Sequence, residues 1–126
     1  MTVFFICAGL LGLMIAVLVI LIGRMRTAKK ISLGDGGDPE MTALIRTHGN
    51  LVETAPFCLL LIYVAHGPYG ERAVMILSVL LLVFRLLHAG GMLGYVSRGR
   101  IVGAVGTTVV TVAASVMLIA AGLRGL

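Results

Sequence analysis

TVFFICAGLLGLMIAVLVILIG, residues 2–23, contains no charged side chain. As a helix it would be about 33 Å long, enough to cross the hydrocarbon of a bilayer. No basic residue precedes it and no small-residue cleavage site follows, so it reads as an anchored span rather than a cleaved signal peptide. Residues 101–123 form a second charge-free run of spanning length. Composition agrees: 60% of the 126 residues are hydrophobic and 12% charged, where a soluble domain carries about 25% charged. Mean hydropathy is +1.13. A soluble core of this size could not hide so much apolar surface, whereas lipid requires no polar coat on a helix.

The middle of the chain is less simple. Only the residues numbered 54–70 lie uncharged between Glu53 and Glu71, and only 73–84 between Arg72 and Arg85. His66-Gly67-Pro68-Tyr69-Gly70 reads as a turn between them. Extending both runs to spanning length predicts helices over 42–65 and 72–95. The expected fold is an all-α membrane protein, one domain over 1–126, a four-transmembrane-helix bundle with helices at about 2–23, 42–65, 72–95 and 101–123. Glu53 and Arg85 then fall inside the membrane, where such residues as a rule face protein or a water-filled cavity.

The net charge of +5 does not point to nucleic acid, because the charges sit in short loops between apolar runs. Loop one carries Arg24, Arg26, Lys29 and Lys30, and loop three Arg98 and Arg100, while loop two offers Arg72 balanced by Glu71. Positive-inside counting places loops one and three in the cytoplasm and both termini outside. Residues 32–40 of loop one read as a flexible acidic turn with a helix start at Asp38-Pro39; its carboxylates are too few for a calcium loop. Cys7 and Cys58 lie in apolar runs and read as buried free thiols. No His, Cys and carboxylate cluster has metal-site spacing, so no metal is expected. Ala8, Gly12 and Ala16, like Gly103, Thr107, Thr111 and Ser115, recur every four residues, as in helices that pack closely in lipid.

A polar seam runs through the two middle helices. Arg46, Asn50 and Glu53 share one helical stripe, and Arg85, His88 and Met92 share another with mirrored spacing. In an antiparallel pair this aligns Glu53 with Arg85, Asn50 with His88, and Arg46 with Met92. A hydrogen-bonded ion pair at that depth is tolerable where a lone charge is not. Interhelical glue alone is the bland reading. Polar bonds in membranes often contribute under about 1 kcal/mol, which gives little reason to bury an ion pair and add an arginine. A site for a charged ligand accounts for Arg46 and the basic loops together.

Arg46-Thr47-His48-Gly49-Asn50-Leu51-Val52-Glu53, followed by Pro56-Phe57, resembles the signature of the MAPEG family, the membrane-associated proteins in eicosanoid and glutathione metabolism, in a bacterial-type member. Arg85-Leu86-Leu87-His88, Arg100, the length and the basic stretch after the first span resemble it too. The resemblance implies a homotrimer in a bacterial inner membrane, with glutathione as co-substrate bound near the cytoplasmic side between protomers. It implies that Arg46, Asn50 and Glu53 contact glutathione or order the groups that do, with Arg85 and His88 lining the floor. Arg26, or Arg24 in its place, would reach the tripeptide's carboxylates, and Arg100 would be the catalytic arginine that stabilises the thiolate. Active members often carry a tyrosine one turn after the helix-three histidine. Here that position is Met92, with Tyr95 as the candidate substitute.

The function expected is a glutathione-dependent transferase or peroxidase acting on hydrophobic electrophiles or lipid hydroperoxides. Arginine forks suit glutathione's two carboxylates, and a guanidinium near its thiol favours the thiolate. A noncatalytic binding or scaffold protein of the same fold is the second reading. A small multidrug transporter is the third, disfavoured because the first helix has no acid and the chain no tryptophan. His48 points away from the seam, and His66 falls in the external turn.

Overall fold

The computed structural model describes residues 1–125. Four helices follow one another: α1 Thr2–Lys29, α2 Pro39–Val64, α3 His66–Met92 and α4 Gly99–Leu123. α2 and α3 lie at the centre, with α1 packed on both, α4 packed on both, and no contact between α1 and α4. α1, α3 and α4 are long and apolar enough to cross a membrane.

Each helix buries one stripe and presents aliphatic side chains on the other. Phe4, Leu11 and Leu18 of α1 meet Leu44, Leu51, Cys58 and Ile62 of α2, and Val74 and Leu81 of α3 join the same core. The repeat of three, four or seven residues holds a single face of each helix inward. Outward, Leu13, Ile20, Val105, Val109 and Ile119 are all more than half exposed. Such a surface would drive a soluble protein to associate, and in lipid it is at no disadvantage.

The helix ends correct several sequence-based boundaries. α1 continues past Gly23 through Arg24 and Arg26, because long basic side chains extend toward water while their stems stay on the helix. It stops at Lys30, which is left-handed, with Ile31 N–H donating to the Arg26 carbonyl at 3.0 Å. α2 starts at Pro39, in agreement with the helix start read at Asp38-Pro39 and three residues before the 42 drawn from spanning length; Asp38 accepts from Met41 N–H at 2.9 Å as N-cap. The predicted turn at 66–70 is helical instead, with the chain bent at Gly70, where φ is +74°. α3 ends at Met92 rather than Tyr95, because Gly94 at φ +83° turns the chain toward α4.

Loop one is pinned, not free. Lys29 Nζ reaches Asp38 at 2.6 Å and Glu40 at 2.7 Å, and Thr42 donates to Asp35 at 2.8 Å. At the opposite end the amino terminus pairs with Glu71, and Tyr69 donates to the Met117 carbonyl at 2.7 Å, tying α3 to α4.

The two small-residue stripes behave differently. On α4, Gly103, Gly106, Thr107, Val110 and Ala114 are buried. A Cβ on Gly103 would strike the backbone of His88, so that glycine is what brings α4 against α3. On α1, Gly12 and Ala16 are exposed and the space beside Gly12 is open within the chain. Cys7 and Cys58 are buried free thiols.

Candidate functional site

Leu44, Thr47, Leu51, Ala55, Cys58 and Ile62 form the buried stripe of α2. With 3.6 residues per turn, Glu53 stands roughly 160° around the helix from Leu51, and Arg46 roughly 140°. Both are exposed accordingly. Asn50 and Thr54 lie on the flank between, half-buried. The expected ion pair between Glu53 and Arg85 is therefore not formed. Arg85 is 3% exposed and donates from Nη1 to the Asn50 carbonyl at 3.1 Å and to the Thr54 hydroxyl. The expected depth was right, since Arg85 meets α2 one turn from Glu53. The rotation differs from that expectation, because the Arg46–Glu53 side of α2 turns outward rather than toward α3.

The Asn50–His88 rung is corrected in the same way. Asn50 Nδ2 donates to the Arg46 carbonyl at 2.9 Å, within its own helix. His88 turns to α4, and its Nδ1 lies 3.0 Å from the carbonyl oxygen of Arg100. A carbonyl only accepts, so Nδ1 carries the proton and Nε2 has a free lone pair. That Nε2 is buried and has no partner among the described residues.

These groups converge on a cleft of about 890 Å3 between the N-terminal part of α2, the C-terminal end of α3 and the start of α4. Arg46 and Asn50 line one wall, Arg100 and Ile101 the other, and His88 with Met92 the α3 side. Gly37 and Pro39 of loop one form part of the rim. A second recess of about 330 Å3 shares Asn50, His88 and Ala104 with the first. It adds Arg85, Thr54, Thr107 and Thr111. No Asp or Glu lines either hollow among the described residues. Three guanidiniums without a facing carboxylate make the site receptive to anions. The cleft's size falls within the usual range of about 300–1,000 Å3 for small-molecule pockets.

Three of the expected residues lie elsewhere. Glu53 faces outward. Tyr95 is 84% exposed and lines a hollow of about 530 Å3 with Met25, Glu40 and Leu93, which shares Pro39, Ala43 and Met92 with the cleft. It follows the turn at Gly94 and does not line the cleft that Met92 lines. Arg26 is half-buried at the end of α1, with Nη1 buried and unpartnered among the described residues, and lines neither hollow. Arg24 is exposed on the same helix. Thr54, Thr107 and Thr111 were not foreseen as site residues. Thr54 could have been, since it follows Asn50 by four residues on the same helix. Thr111, which donates to Cys58 Sγ at 3.5 Å, was visible only as part of a packing stripe.

The match to known proteins now bears on this geometry. Residues 4–120 match the profile of the MAPEG family. The chain belongs to the MAPEG family. It is also 36% identical, over 69 residues, to "Inner membrane protein YecN" of Escherichia coli strain K12 and to the protein of the same name from Escherichia coli O6:H1. That alignment covers 54% of this chain and 53% of each relative, about half their length. With three apolar helices of spanning length, this MAPEG chain is an integral membrane protein.

Proposed function

We propose that this MAPEG protein binds glutathione in the cleft between α2, α3 and α4. We propose that it uses the thiolate as a membrane transferase or peroxidase on hydrophobic electrophiles or lipid hydroperoxides. The observation that carries the reading is the acid-free cleft, which presents Arg46 and Arg100 at its mouth above the buried Arg85. Glutathione carries two carboxylates, and a guanidinium fork donates to each in bidentate fashion. Arg46 takes a carboxylate and Asn50 the peptide backbone. Arg100, at the start of α4, faces the thiol and stabilises its anion. Ile101 and Val105 form the apolar side through which a hydrophobic second substrate would enter from lipid.

The same reading has α2 as a fourth span and the protein as a homotrimer. Glu53 and Arg46 are exposed on a helix flanked by apolar ones, and a bare carboxylate in hydrocarbon costs about 2.5 kcal/mol or more. A neighbouring protomer supplies the cover. At that seam Glu53 is the acid available to glutathione's ammonium, and Arg26 a further cation for its carboxylates. Arg24, Arg26, Lys29, Lys30, Arg98 and Arg100 gather at the cleft's end of the bundle, which supports an orientation with loops one and three in the cytoplasm and both termini outside.

Met92 supports a second reading, a noncatalytic glutathione-binding protein, because it lines the cleft where active members often carry tyrosine. Calorimetric titration with glutathione, paired with conjugation of an aryl halide, separates the two. Heat of binding with turnover supports the enzyme, and binding without turnover supports the binder. No binding in detergent or in nanodiscs removes both.

A further inference from the structure

We propose that His88 is the proton acceptor for the ligand's thiol; this rests on the glutathione reading. His88 is 6% exposed and borders both hollows. Its Nδ1–H is held by the Arg100 carbonyl at 3.0 Å, which fixes both the tautomer and the direction of the ring. Nε2 is left as a buried acceptor with no partner among the described residues. Leaving a buried polar atom unsatisfied costs about 1–3 kcal/mol, and a ligand donor that reaches Nε2 from the adjoining hollows removes that cost. The partner must be a donor, and the charges around His88 decide which donor loses its proton there.

The cations lining these hollows with His88 are Arg46 from α2, Arg85 from α3 and Arg100 from α4; among the described residues α1 lines neither hollow and no carboxylate does. An imidazolium by itself would add a fourth positive charge to this setting. An imidazolium formed together with a thiolate adds none. The S–H bond breaks, its electron pair stays on sulfur, and the proton moves to Nε2. The resulting pair is neutral overall, with the sulfur anion facing the Arg100 guanidinium. When the thiolate attacks an aryl halide, the C–S bond forms, halide leaves, and His88 returns its proton to water. His88 thus holds a proton only while a thiolate is beside it.

Nitrogen NMR of 15N-histidine-labelled protein reads this directly, with the His88 signal assigned by its loss in His88→Asn. The expected result is a neutral Nδ1–H ring in the free protein, an imidazolium with glutathione, and a neutral ring with S-methylglutathione, which has no proton to give. A neutral ring with calorimetrically bound glutathione overturns the proposal and leaves the binding reading standing. Failure of the wild type to bind glutathione overturns both. His88→Asn keeps a donor for the Arg100 carbonyl and removes the base. In that variant kcat should fall about 100-fold or more while KM for glutathione stays within a few-fold. Its rate should also rise with pH where the wild type is already flat. An unchanged pH profile contradicts the proposal.

Discussion

At the residue scale the decisive side chain is Arg85, a buried cation satisfied by a backbone carbonyl and a threonine hydroxyl rather than by an acid. Replacing Thr54 by valine removes a buried acceptor and should destabilise the protein by about 1–3 kcal/mol, read as a lower unfolding temperature in detergent. Glu53→Gln, by contrast, leaves Arg85's partners in place, and the isolated protomer should unfold as the wild type does. An equal loss in both variants would restore the ion pair inferred from spacing. Sequence made the chemistry of this pair visible, because a carboxylate and a guanidinium deep in apolar runs are hard to overlook. It could not give the rotation of α2, which is set by the larger apolar area of Leu44, Leu51 and Ile62. The free Nε2 of His88 was equally hidden, since it depends on a backbone carbonyl twelve residues away.

Among the elements, α4 sits where it does because Gly103 allows its backbone onto that of His88. A Gly103→Leu substitution should cost about 1–3 kcal/mol through overpacking and should also break the His88–Arg100 contact. Lower thermal stability together with lost glutathione binding would match this, whereas full binding at wild-type stability would not. Loop one titrates at its acidic residues. The Gly37 N–H holds the Asp35 carboxyl below its ordinary range, and the Lys29 ammonium does the same for Asp38. Groups whose folded pKa is depressed stabilise above the unfolded value, about 3.9, and lose that contribution as pH falls through the folded one. Hydrogen exchange in residues 35–42 should therefore be unchanged from neutral pH down to about 5 and should quicken, beyond the intrinsic rate, below about 4. Quickening already at pH 6 would assign the loop's order to other groups. The helix count was legible from charge-free runs and the start of α2 from Asp38-Pro39, but the other ends were not, because Gly70 and Gly94 act through turning that apolar periodicity does not encode.

For the whole molecule, the outward aliphatic surface and three spanning helices were evident from composition, and the family from the stretch between Arg46 and Glu53. Assembly is different in kind: the exposed Glu53 and the open face at Gly12 state only that something covers them. Cross-linking in native membranes should give a trimer, reduced by Glu53→Leu only if a neighbour's polar group meets that carboxylate. The candidate site draws Arg46 from α2, His88 from α3 and Arg100 from α4 into one cleft. A structure determined with glutathione is the most direct test. Density in the cleft, with a carboxylate on Arg46 and the sulfur between His88 and Arg100, is the result this account predicts. Glutathione lodged in the hollow beside Tyr95, or an ordered protein at saturating glutathione with the cleft still vacant, would contradict it.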